Sequence, residues 1–211
     1  MPAFPSSFAV LDTETTGLLN DPDARVIEIG VARFEDGVCV RRFQSLVRPD
    51  LLTDAGAAVA WKVSQIARAD IEAAPLPEDV WAAMEDILDN VPVVAWNLPF
   101  DQAMVKRSFF CDDRIEAMIQ RKLLPPSWQE CAMRRFSEAY AAYGQRWPNG
   151  EARWFRLSDA AALMGLEWTG EAHRADADAE MTGRLYAGML TNTLTPCRRD
   201  APMNHVEATS G

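Results

Sequence analysis

Asp12 and Glu14 stand two residues apart in FAVLDTETTGL, at the end of a run whose composition predicts a β-strand. Side chains at i and i+2 of a strand leave the same face, so the two carboxylates would share one small volume. Such a pair is electrostatically costly unless a cation lies between its members, and hard divalent ions such as Mg²⁺ prefer oxygen ligands. A strand-end pair can also be a solvated turn, so its meaning depends on what else arrives there. Two further acidic islands could join it: Asp101 in WNLPFD, and HRADADAE, which carries Asp176 and Asp178 behind His173. Histidine is the side chain whose unperturbed pKa lies near neutrality, and it suits proton transfer beside such a centre.

Elements must position these groups. Residues 7–12, 26–34 and 38–47 are rich in β-branched and aromatic residues, and Asp36-Gly37 between the last two predicts a hairpin turn. Val80, Trp81, Met84, Ile87 and Leu88 recur at helical spacing within 78–89, and the apolar run 91–96 has strand length. Helical patterns follow through 101–110, 114–123, 129–143, 157–164 and 176–190. Strands first and strand-helix alternation later predict an α/β fold, a mixed sheet flanked by helices. One domain is expected over 1–191, with 192–211 as a flexible C-terminal tail, because apolar periodicity fades from Pro196 onward.

With 211 residues and 48% hydrophobic composition the chain should fold around a full core. The start lacks a secretory signal and no window spans a membrane, so a cytoplasmic protein without a membrane partner is expected. The four cysteines form no CxxC pair, which excludes a zinc module of that kind. Thirty-one acidic residues against twenty-one basic ones leave a net charge of −10, which argues against binding polyanions through bulk attraction. The charge is uneven, however. Residues 49–104 carry −8, whereas 105–156 carry +4 and nine of the nineteen aromatic residues. Cationic grooves with aromatic platforms hold single strands, and this segment is the candidate for such a track.

FAVLDTETTGL, WNLPFD and HRADADAE, in this order and at these separations, resemble the DEDDh group of DnaQ-like 3′-5′ exonucleases, over roughly Phe8 to Leu190. The resemblance implies an RNase H-like sheet, with an antiparallel meander followed by parallel strands. It implies that Asp12, Glu14, Asp101 and Asp178 are metal ligands, with Asp178 rather than Asp176 in the last position, and that His173 is the general base. Two divalent cations, Mg²⁺ or Mn²⁺, are implied, Asp12 bridging both. Thr15, Thr16, Gly17 and Leu18, with Asn97 and Phe100, are implied to touch the 3′-terminal nucleotide.

The residues suit that chemistry. Hydrolysis of a phosphodiester needs its developing negative charge neutralised, and two ions roughly 4 Å apart can do this for an in-line attack. The expected activity is release of nucleoside 5′-monophosphates from single-stranded 3′ ends, DNA favoured. An exoribonuclease or oligoribonuclease and a catalytically silent nucleic-acid-binding module are the alternatives, and a polymerase or repair protein is a possible partner. Trp96 stands where the group often has histidine, and Cys131, in WQECAM, where many members have aspartate. Neither change touches an implied ligand; both bear on the subfamily.

Overall fold

The computed structural model describes residues 6–144, 146–147, 149–151, 153–170 and 174–197. Strands β1 (Ser7–Thr15), β2 (Val26–Glu35) and β3 (Val38–Leu46) form the expected antiparallel meander. Asp36 and Gly37 both take positive φ, 49° and 81°, the pairing a tight two-residue hairpin requires. Strand β4 (Val93–Ala95) joins β1 in parallel, and β5 (Trp128–Cys131) joins β4 in parallel, giving the order β3-β2-β1-β4-β5.

Eight helices complete the described chain: α1 (Asp54–Ser64), α2 (Arg68–Ala73), α3 (Pro77–Leu88), α4 (Leu98–Phe109), α5 (Asp112–Gln120), α6 (Ala132–Ala139), α7 (Leu157–Leu163) and α8 (Ala175–Thr191). The predicted helix 129–143 divides. Its first residues extend the sheet as β5, because Val94 and Ala95 offer an unpaired parallel edge to Glu130 and Cys131, and only then does α6 begin. Helices α1 and α2 have no counterpart in the sequence reading. Both are short and largely exposed, so neither prints a full apolar stripe, although Thr53 caps α1 by accepting from the Gly56 N–H at 3.0 Å.

Period-two alternation in β1 divides the core between the two faces of the sheet. Phe8 and Val10 pack under α6, α7 and α8, while Ala9 and Leu11 pack under α3 and α4. Phe8 stacks on Phe34 at 5.1 Å and meets the Tyr186 ring edge at 5.0 Å. Small residues let α8 lie close to the sheet. A Cβ on Gly30 of β2 would come within 2.1 Å of the Ala175 backbone, and one on Gly183 within 2.0 Å of the Phe34 ring. Helix α8 ends at Thr191 and the chain turns back, with Leu194 against the core and the Cys197 N–H on the Leu163 carbonyl at 2.9 Å. The rest of the expected tail, 198–211, lies outside the described residues.

Candidate metal centre

The alternation that buries Phe8 and Val10 carries Asp12 and Glu14 onward on the same face of β1, toward α8. Asp178 lies one turn into α8 and meets them, so that one carboxylate oxygen from each of Asp12, Glu14 and Asp178 falls within 4.8 Å of the others. Asp176, the other acid of the same island, points instead to Arg42 of β3, which also binds Glu180. The seat of α8 on Gly30 sets this geometry, because Asp12 pairs with Gly30 across β1 and β2.

Asp101 comes from the opposite face. It lies in the first turn of α4, only 3% exposed, where its Oδ1 accepts the Thr13 hydroxyl at 2.9 Å. Thr13 is the odd residue between Asp12 and Glu14, so β1 holds acids on one face and the anchor of the fourth acid on the other. Asn97 precedes α4, and its carbonyl accepts the N–H groups of Phe100 at 2.8 Å and Asp101 at 3.2 Å.

The electrostatics of the centre are those of crowded, desolvated acids. Burial pushes Asp12 well above the usual carboxylate range, and the neighbouring Asp101, Asp178, Glu14 and Glu28 push it further. Burial raises Glu14 to about 7, although the Ser64 hydroxyl at the end of α1 donates to its Oε2 and offsets part of the rise. Burial likewise raises Asp101 to about 7 against the lowering contribution of the Thr13 hydrogen bond. A set of oxygen donors this deficient in positive charge fits a hard divalent cation.

The other sequence-selected residues form the rim. Thr15 donates to the Gly17 carbonyl at 2.8 Å. Thr16 is buried and its Oγ1 accepts the Arg25 N–H at 2.8 Å. Gly17 lies where a Cβ would come within 2.9 Å of the Asp21 carboxylate. Leu18 projects with 68% of its surface exposed, and the loop behind it is held by Arg107, which donates to the carbonyls of Leu19 and Asp21. Phe100 is half-buried against the α3 and α4 core. His173 lies outside the described residues; Arg174 beside it is described. Trp96 and Cys131 meet: the Cys131 thiol donates to the Trp96 carbonyl at 3.2 Å, and the Trp96 ring packs in the α6 core.

Three contributors escape a reading of the sequence. Ser64 and Thr13 are ordinary polar residues whose roles depend on contacts 50 and 88 positions away. Glu28 is fully buried opposite Glu14, and its carboxylate accepts from Arg174, from the Ala175 N–H at 3.0 Å and from Gln44 at 2.8 Å. An acid within the apolar strand VIEIGVARF is the one sequence signal that could have found it.

A meander extended by parallel strands, with helices on both faces and acids gathered at the end of its first strand, is the RNase H-like architecture of nucleases. The chain belongs to the RNase_T family, described as Exonuclease, which matches residues 9–186 and comprises DnaQ-like DEDDh proteins. It is 27% identical over 184 residues to the uncharacterized exonuclease CP81 of Escherichia phage 186, covering 82% of each chain. It is 24% identical over 186 residues to the DNA polymerase III subunit epsilon of Treponema pallidum (strain Nichols), covering 88% of this chain and 77% of that one. Its fold is similar to that of E. coli exonuclease I in complex with a dT13 oligonucleotide (TM-score 0.63, 19% identity), covering 90% of this chain and 41% of that chain. It is also similar to the nuclease domain of 3′hExo bound to rAMP (TM-score 0.63, 16% identity), covering 96% of this chain and 100% of that one.

Proposed function

We propose that this protein is a metal-dependent 3′-5′ exonuclease that hydrolyses single-stranded ends, DNA in preference to RNA, and releases nucleoside 5′-monophosphates. The observation that carries the reading is the convergence of Asp12, Glu14 and Asp178 within 4.8 Å. Asp12, Glu14 and Asp178 would hold one divalent cation, Mg²⁺ or Mn²⁺, and Asp101 with Asp12 a second. Such ions, when bound, supply the positive charge that a phosphodiester develops a need for as it is attacked.

The chain's own groups do the rest. His173, just ahead of α8, accepts the proton of the attacking water. Thr15, Thr16 and Gly17 offer backbone groups to the terminal nucleotide, and Leu18 and Phe100 bound its base, with Asn97 at the start of α4. The exposed position of Leu18 supports that role. The likeness to a polymerase epsilon subunit supports a polymerase partner, and the expected compartment is the cytoplasm.

Matched DNA and RNA oligomers incubated with Mg²⁺ or Mn²⁺ test this reading. Shortening from the 3′ end with 5′-monophosphate products is expected, and Asp12→Ala should abolish it. Shortening of RNA alone would overturn the DNA preference. Unchanged hydrolysis by Asp12→Ala would overturn the site.

A further inference from the structure

Arginines of segment 105–156 differ in what holds them. Arg114 and Arg121 are tied to Glu78 and Asp79 of α3, Arg135 to Glu130, and Arg107 to backbone carbonyls. Arg134 on α6 and Arg156 ahead of α7 are exposed and make no ion pair among the described residues. Both belong to the α6–α7 side of the sheet, and between them in sequence runs a loop with two exposed indoles, Trp147 and Trp154.

That loop is a built surface. The Trp147 N–H donates to the Glu151 carbonyl and the Gly150 N–H to the Trp147 carbonyl, each at 2.8 Å, and the Arg153 guanidinium lies 4.4 Å over the Trp147 ring. Phe155 anchors it. Its ring packs against Phe136 at 5.1 Å, its N–H donates to Ser137 at 3.2 Å, and its carbonyl accepts the Trp96 indole N–H at 3.3 Å. Trp96 directly follows β4 and precedes Asn97 and α4, which carries Asp101. The buried Phe155 thus ties the loop to the strand that leads into the acidic centre, while its neighbours Trp154, 63% exposed, and Arg156 face solvent.

We propose that Trp154, with the Trp147–Arg153 pair beside it and Arg156 two residues further on, is a stacking platform for the bases of a single strand whose 3′ end occupies the acidic centre. The inference rests on the proposed function and adds a second subsite to it. Flat exposed indoles beside guanidinium groups complement a polymer that alternates bases with phosphates. An acidic peptide would match the arginines but would leave the indoles without a counterpart.

The test compares two substrates. On a twelve-nucleotide thymidylate oligomer, Trp154→Ala should raise KM about ten-fold with kcat little changed, in line with the loss of one base–aromatic stack. On the p-nitrophenyl ester of thymidine 5′-monophosphate, which reaches only the acidic centre, the same variant should match wild type. An unchanged oligomer KM, or an equal loss on both substrates, would overturn the platform. If wild-type protein hydrolyses neither substrate, the catalytic reading fails separately, and binding of the labelled oligomer, followed by fluorescence anisotropy, decides the platform. Binding about ten-fold weaker in Trp154→Ala would sustain it, and equal binding would overturn it.

Discussion

Glu28 and Arg174 meet across the junction of β2 and α8, the buried carboxylate accepting from the Arg174 guanidinium and from the first helical N–H, that of Ala175. The bond closes a helix start that has no side-chain cap of its own, and it does so beside an acidic centre that Glu28 makes more crowded. An acid in that position is costly unless its partner is in place, so the pair fixes where α8 begins and hence where Asp178 lies.

Replacing Glu28 by Ala should therefore destabilise the fold. The expected loss is about 2–3 kcal/mol, below the range for a fully buried pair because the Arg174 side chain is 37% exposed. Urea denaturation gives the value. A change under 1 kcal/mol would show that the pair does not anchor the helix.

Gly30→Ala addresses the same junction sterically. A Cβ there would meet the Ala175 backbone at 2.1 Å, which only a displacement of α8 can relieve. Isothermal titration with Mn²⁺ should show affinity reduced at least ten-fold as Asp178 leaves Asp12 and Glu14, the lower end of what disturbing a metal's ligand shell costs. Wild-type affinity in this variant would mean that the helix seat does not set the centre.

The metal-free protein should lose stability as pH rises from about 4 to about 7. Glu14 and Asp101 titrate near 7 in the fold, above their ordinary values of 4.5 and 3.8. In that interval the native state binds more protons than the unfolded chain, so the slope of unfolding free energy with pH is negative from these groups. Above about 7 their contribution levels off. Thermal melts of wild type and of Glu14→Gln with Asp101→Asn, compared at pH 4.5 and 7.5, isolate the effect. The double variant should lose less on going to pH 7.5, and saturating Mg²⁺ should remove the wild-type deficit. Parallel behaviour of the two proteins would contradict the assignment.

Thr13→Val removes one hydroxyl at constant shape. The Thr13 hydrogen bond lowers the pKa of Asp101, so without it that pKa should climb and the acid limb of the pH–rate profile should move to higher pH. Stability should fall by about 1 kcal/mol. An unmoved acid limb would separate Asp101 from the rate.

Much of this fold is legible because its signals are local. The alternation of Phe8 to Asp12, the Asp36-Gly37 turn and the apolar stripe of α3 each follow from residues within a few positions of one another. Helix α1 escaped because its exposed face carries Val59, Trp61 and Val63, which blurs the stripe a buried helix shows. Strand β5 escaped because an isolated four-residue segment is extended only if a neighbour supplies hydrogen bonds, and β4 does so.

The same division runs through the site. The amino-acid sequence alone determined which acids exist, in what order, and that Asp12 and Glu14 share a strand face, since backbone geometry settles that for any strand. Residue type and spacing left Asp176 and Asp178 as rivals in one island, and only the family resemblance favoured Asp178. Tertiary structure separated them by sending Asp176 to Arg42 and Asp178 to Asp12 and Glu14, and it recruited Thr13, Ser64 and Glu28 over long stretches of chain. The physical reason is that the seating of α8 on Gly30, and not any local propensity, fixes which turn of the helix faces the sheet.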